Sequence, residues 1–288
     1  MSLHEKMAAG EFLTLVEMEP PKGVDVAPML ANATRVKGKV DAFVVPEMSN
    51  AVMKMSSLGG CMLLQSKGLD TVLQVCCRDR NRLALQADLL AASALGIGNV
   101  MAVTGQDPSY GDHHRARAVH DVDLMELLEM LQKLQTGRDM AGIELKGSPR
   151  FCIGSTVNVG ASGGALELEL EALDKKIAAG AEFFVTLPVF DLQPLARFMK
   201  KFGERKAKIV PTMLLLKSVG MARYIDRHMD HVHIPEDLIR RIQKAPDKVR
   251  ECVQIAAELV SAIRDAGYSG VLISTIGWED KLPNILEV

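Results

Sequence analysis

Two short stretches carry residue types suited to chemistry. Glu17 follows the apolar run 12–16 and stands three residues before Pro20-Pro21. A carboxylate held among Val16, Met18 and prolines is disfavoured as the anion by desolvation, and can serve as a general acid. Glu19 falls on the same side by strand alternation and competes for that role. The plainer alternative is a surface glutamate beside a turn. The second stretch, Arg78-Asp79-Arg80-Asn81-Arg82, follows the apolar run 71–77, and one run later comes Thr104-Gly105-Gln106-Asp107-Pro108. Asp79 or Asn81 can cap a helix there, while Arg78 or Arg80 can meet a phosphate or a helix carboxylate such as Asp88. A charge-paired helix entrance accounts for the same residues without a ligand. The glycine turn lets backbone approach a planar ligand.

Further along, Thr156-Val157-Asn158-Val159-Gly160 ends another apolar run. Glu169 and Lys176, seven apart, share one face of the next helix, where a solvent-exposed ion pair is the simple reading. The cluster His228-Met229-Asp230-His231-Val232-His233 matches no standard zinc spacing and has no cysteine close by, so no metal is expected. His113-His114 reads the same way.

The elements that must hold these residues are legible in the periodicity. Apolar, strand-like runs occur at 12–16, 42–45, 71–75, 99–103, 151–156, 182–187, 209–213 and 270–274. Helix-period segments fill most gaps, at 27–36, 51–66, 81–95, 124–134, 165–178, 192–202 and 248–265, with shorter helices near 218–227 and 235–244. Glycines after 178–179, 95 and 265–266 mark helix stops. Eight strands alternating with helices, without a long linker, predict the α/β class and a (β/α)8 TIM barrel, one domain over residues 1–288. Chemistry in that fold sits at the carboxyl ends of the strands. The longest polar connection, 106–120, is a candidate binding loop.

Composition narrows the function classes. Hydrophobic residues make up 48% and charged ones 24%, enough for a sizeable core. Formal net charge is −2, and no block of like charge suggests a nucleic-acid partner. The densest basic stretch, Lys200-Lys201 with Arg205, Lys206 and Lys208, reads as a solvated helix end. Five cysteines without a CxxC pattern suit a reducing cytoplasm, and Cys76-Cys77 point to opposite faces of one strand. The amino terminus shows no signal-peptide core, and no apolar run approaches the ~20 residues of a membrane span.

The motifs together resemble the methylenetetrahydrofolate reductases, in their short, single-domain bacterial form. The likeness runs through Val16-Glu17 with Pro20-Pro21-Lys22-Gly23, Asn50-Ala51-Val52-Met53-Lys54-Met55-Ser56-Ser57, residues 78–85, Leu95-Gly96-Ile97, Ala179-Gly180-Ala181-Glu182-Phe183-Phe184, Pro188-Val189-Phe190-Asp191 and Gly277-Trp278-Glu279-Asp280. The resemblance implies a cytoplasmic, flavin-dependent reduction of 5,10-methylenetetrahydrofolate to 5-methyltetrahydrofolate, in one-carbon metabolism and methionine biosynthesis. It implies FAD, with FMN the alternative, and NAD(P)H or a reducing partner subunit as electron source. No GxGxxG follows a strand, so NAD(P)H would use the same open site in turn. A homo- or hetero-oligomer is expected.

By the same resemblance Glu17 is the catalytic acid that protonates the folate nitrogen. Gln74, Thr104, Gly105, Gln106, His120, Asp121, Thr156, Gly160, Glu169, Lys175 and Lys176 would hold the flavin, and Gln106, Thr186 and Leu187 would join Glu17 at the folate. Three positions depart from the family pattern. Pro46 replaces a threonine, Gln106 an aspartate and Leu187 a glutamine, which leaves a second possibility of a non-catalytic or flavin-free folate-binding relative inside a larger redox or methyl-transfer complex. Losing a carboxylate ~4 Å from the flavin would raise its potential by up to ~90 mV, with Asp107 next door restoring part of that charge.

Overall fold

A computed structural model describes residues 1–287. Eight parallel strands close in chain order into a barrel: β1 (Leu13–Glu17), β2 (Ala42–Val45), β3 (Thr71–Cys76), β4 (Asn99–Val103), β5 (Cys152–Val157), β6 (Phe183–Pro188), β7 (Lys208–Leu214) and β8 (Gly270–Ser274). Pairing of β1 with both β2 and β8 completes the ring, with Leu15 opposite Ala42 on one side and Leu272 on the other.

The period-two alternation of each strand sorts its side chains into two cores. Leu13, Leu15, Val44, Met101, Phe183 and Leu272 point inward and fill the barrel. Val16, Phe43, Val45, Leu73, Phe184 and Ile273 point outward, against Leu85, Leu131, Leu173 and Ile255 of the surrounding helices. Each such buried side chain contributes roughly 1.5–3 kcal/mol. Gly154 makes room in the inner layer: a Cβ there would come within 2.2 Å of the Phe183 ring.

The helices are α1 (Leu3–Ala9), α2 (Ala27–Arg35), α3 (Ser57–Gln65), α4 (Arg82–Ala94), α5 (Leu124–Gln135), α6 (Gly164–Ala178), α7 (Leu192–Phe202), α8 (Val219–His228), α9 (Glu236–Lys244), α10 (Lys248–Asp265) and α11 (Leu282–Ile285). The seventh crossover does hold two short helices and a long one. Helix α1 is an addition to the elements that the apolar periodicity predicts. Ser2 and Glu5 form a capping box at its start, and its Leu3 and Met7 enter the inner core as a plug under the barrel.

A second difference concerns residues 51–56, read as helix and found as loop. Met48 and Ala51 adopt left-handed φ of 47° and 55°, and Ser56, whose Oγ accepts from Gly59 N, starts α3 later than the apolar spacing suggests. The loop is held from outside: Met53 N donates to Asp112 Oδ1 at 3.0 Å and Met55 N to the Pro21 carbonyl at 3.0 Å. These long-range contacts override the local pattern. No helix among the described residues is long and apolar enough to cross a membrane.

Candidate functional site

The carboxyl ends of the strands surround a cavity of about 460 Å³. Glu17 reaches it from the end of β1, and Ser274 Oγ, from the end of neighbouring β8, donates to Glu17 Oε1 at 2.7 Å. Burial is the main influence on this carboxyl and raises it to about 7. The Ser274 bond pulls the other way, while Glu19 and Glu279 add to the rise. Glu19 also lines the cavity but is ion-paired with Lys54. Geometry therefore separates the two carboxylates that the sequence left in competition: Glu17 holds a hydroxyl partner, Glu19 a cation.

Glu47, from the loop after β2, is a site residue the sequence did not single out. It is 2% exposed yet borders the cavity; Oε2 accepts from Ser57 N at 2.7 Å, and Arg80 donates to Oε1 at 3.2 Å. Gln74 on β3 accepts from Glu47 N through Oε1 at 2.9 Å. Among the described residues its amide nitrogen has no protein partner, leaving a donor at the cavity wall.

The arginine-rich stretch resolves into the charge-paired helix entrance. Arg78, 2% exposed, forks onto both Asp79 oxygens at 2.7 Å and donates to the carbonyls of Gln106, at 3.0 Å, and Met48, at 3.3 Å. One buried guanidinium thus joins the loops after β2 and β4 at the cavity rim. Arg80 pairs with Glu47 and Asp88, and Asn81, not Asp79, caps α4 by accepting from Ala84 N.

Thr104, Gly105 and Gln106 form one lip of the cavity. Gly105 has φ of 83°, and a Cβ there would stand 2.3 Å from Cys76 Sγ, so only glycine fits this turn. Asp107 is turned away: it caps a short 3-10 turn by accepting from Ser109 N at 2.8 Å, and does not line the cavity. The charge expected from it beside Gln106 is therefore engaged elsewhere. His120 and Asp121 lie further out on the same exposed loop; Asp121 Oδ2 accepts from Arg82 N at 2.9 Å and fastens that loop to α4.

Thr156 lines the cavity, and its carbonyl accepts from Lys176 Nζ at 2.8 Å. Glu169 Oε1 accepts from Asn158 N at 3.0 Å. The two residues share a helix face as expected, but each is turned to the backbone at the end of β5 rather than forming an exposed pair. Lys176 is half-buried, and burial lowers its pKa; Lys175 is exposed. Gly160 borders an adjoining cavity of about 390 Å³ and packs so closely on the His231 carbonyl that a Cβ would sit 1.9 Å from it.

On β6, the Thr186 hydroxyl donates to the Leu187 carbonyl and accepts from Thr212 N. The strand's register shifts between Val185 and Pro188, which places Leu187 where it lines both cavities. Pro46 borders a smaller recess with Glu19 and Lys54. All five cysteines are buried and free.

Comparison with known proteins bears on this site. The family model described as methylenetetrahydrofolate reductase matches residues 2–288. Among solved structures, an uncharacterized protein from Clostridium thermocellum, described as binding two copies of 5-methyl-5,6,7,8-tetrahydrofolic acid, aligns with TM-score 0.67 at 13% identity over 99% of this chain and 96% of its own. EDTA monooxygenase from a Chelativorans species aligns with TM-score 0.54 at 11% identity, over 96% and 93%. A 2,3-dimethylmalate lyase of the PEP mutase/isocitrate lyase superfamily gives 0.56 at 7%, over 99% and 82%. At such identities these structures speak for the barrel alone.

Proposed function

The chain belongs to the methylenetetrahydrofolate reductase family, and from that premise we propose that it reduces 5,10-methylenetetrahydrofolate to 5-methyltetrahydrofolate with a bound flavin. The observation that carries the reading is Glu17, a cavity carboxyl raised to about 7 beside Ser274. Near neutral pH such a group keeps a substantial protonated fraction and can donate. Oε1 is engaged by Ser274, which leaves Oε2 free to carry the acid proton toward the folate nitrogen whose protonation opens the ring.

The residues present fit a flavin ring. Met101, Val103, Leu187 and Leu214 give the cavity apolar walls, and the Gln74 amide nitrogen, without a protein partner among the described residues, supplies a donor at its edge. Thr104, Gly105 and Gln106 would lie along the ring, with Thr156 and Gly160 toward the rest of the cofactor. His120, Asp121, Glu169, Lys175 and Lys176 belong to the proposed holding set only through the family likeness, since the first two lie beyond the cavity and Glu169 and Lys176 engage β5 backbone. When bound, the reduced flavin supplies the hydride. FAD is favoured over FMN, and NAD(P)H or a reducing partner refills the site. Freshly purified protein should be yellow with a band at ~450 nm and should form 5-methyltetrahydrofolate from the methylene substrate. Colourless protein that still binds 5-methyltetrahydrofolate would support the second reading, a flavin-free folate binder. That reading is favoured by the apolar Leu187 and by the folate-binding Clostridium thermocellum protein of the same fold.

Two substitutions probe the departing positions. Leu187→Gln should tighten 5-methyltetrahydrofolate by ~10-fold in calorimetric titration. A Leu facing the pterin leaves its polar edge unpaired, which costs ~1–3 kcal/mol. If Leu187 instead packs only against protein, glutamine there lowers the melting temperature and does not improve binding. Gln106→Asp should lower the flavin midpoint potential by roughly tens of millivolts. Its exposed position screens the added charge below the ~90 mV bound. A raised or unchanged potential in a redox titration would remove Gln106 from the ring's neighbourhood.

A further inference from the structure

We propose that His4, Cys152 and Glu182, at the amino-terminal end of the barrel opposite the candidate active site, bind a divalent cation of the zinc class. An imidazole nitrogen, the thiol sulfur and a carboxylate oxygen of these three residues all lie within 4.8 Å of one another. They come from three separate segments. Cys152 opens β5 with its side chain in the inner core. Glu182 immediately precedes β6; its backbone N donates to the Ile153 carbonyl at 2.7 Å, and Ile153 N donates to its Oε1 at 3.4 Å. That bond fixes the carboxylate and leaves Oε2 for His4 Nδ1, 2.9 Å away. His4 is held in place because Leu3 and Met7 of α1 plug the barrel on either side of it in sequence.

The donor set selects the ion. A thiolate with an imidazole disfavours calcium and magnesium and suits zinc, while the carboxylate is a common zinc ligand. Zinc bonds of ~2.0–2.3 Å at tetrahedral angles place donors ~3.3–3.6 Å apart, within reach of this cluster after small side-chain rotations. Binding transfers the Cys152 thiol proton to solvent as the metal–sulfur bond forms, with no change in oxidation state. Three protein ligands leave one position, which a water from the adjoining cavity of about 660 Å³ can fill. The cation would join α1 to β5 and β6 and lock the plug beneath the barrel.

Chelator-treated full-length protein titrated with Co²⁺ tests this. The expected result is a saturable near-ultraviolet sulfur-to-cobalt band with tetrahedral visible bands, displaced by Zn²⁺, and a Zn²⁺-dependent rise in melting temperature. Cys152→Ser should abolish the sulfur band. His4→Ala, a change at an exposed side chain that leaves the core intact, should weaken Co²⁺ binding by ~100-fold or more, since even outer-shell losses cost ~10–100-fold, and should remove the Zn²⁺ effect on melting. Absence of saturable binding, a sulfur band that survives Cys152→Ser, or wild-type affinity in His4→Ala would each overturn the proposal. If Cys152→Ser does not fold, the His4→Ala titration decides alone.

Discussion

Glu17→Gln is expected to lower folate turnover by ~10²–10⁴-fold, the range a general acid contributes. Flavin binding and the reduction of the flavin by its electron donor should be unchanged. Glutamine keeps the shape of the side chain and still accepts from Ser274 Oγ through its amide oxygen, so the loss isolates the proton. The same change has an opposite effect on stability. Glu17 is raised from 4.5 to about 7 in the folded chain, so the native state disfavours its anion, and wild-type stability falls as pH rises through that interval. Removing the charge should therefore make Glu17→Gln more stable than wild type above pH 7, by at most ~3.5 kcal/mol at ~1.4 kcal/mol per pKa unit, with cavity water reducing the figure. Below pH 4.5 the two should melt alike. A variant with wild-type turnover would move the acid role to Glu19, despite its pairing with Lys54.

Arg78→Met should produce the largest loss of stability, about 3 kcal/mol, because it takes a buried guanidinium away from a partly exposed carboxylate and from two loop carbonyls. The guanidinium is 2% exposed, and its removal leaves Asp79 without its fork and the Met48 and Gln106 carbonyls without a donor. At ~2–4 °C per kcal/mol, the melting temperature should fall by about 10 °C. The two loops that Arg78 joins form part of the cavity rim, so ligand affinity should fall as well. A shift of only ~1 °C in a thermal melt would mean that water replaces these bonds and that the rim does not depend on Arg78.

The barrel was legible because its strands obey simple rules. The runs 42–45, 99–103 and 270–274 coincide with β2, β4 and β8, and 192–202 and 248–265 with α7 and α10. In α7 and α10 the apolar period agrees with an aspartate N-cap, Asp191 and Asp247. Local pattern failed where tertiary contacts decide. Residues 51–56 carry helical apolar spacing but are drawn into a loop by Asp112 and Pro21. Helix α1 is short, and its plug function depends on a barrel that closes above it.

Within the candidate site, the position of Glu17 followed from its place at a strand end. Its partner Ser274 lies 257 residues away, and only the pairing of β1 with β8 brings it near. One signal was available: Ser274 shares the parity of inward-facing Leu272. Glu47 gave no local signal, since its burial arises from Ser57 and Arg80, which the fold brings to it. Arg78 and Arg80 looked equally ready for a phosphate, and only the positions of Asp79, Asp88 and Glu47 show that both are already engaged.

The proposal that Glu17 delivers a proton to folate during flavin-dependent reduction is tested most directly by one measurement. Reduced, flavin-loaded protein is mixed with 5,10-methylenetetrahydrofolate without oxygen, and the rate of flavin reoxidation is followed against pH in wild type and Glu17→Gln. The acid must be protonated to act, so the wild-type rate should be level at low pH and fall about tenfold per unit above an apparent pKa near 7. The variant should be slow throughout and lack that limb. Reoxidation that is pH-independent in wild type, an unaltered limb in Glu17→Gln, or no reoxidation of a bound flavin at all would contradict the account.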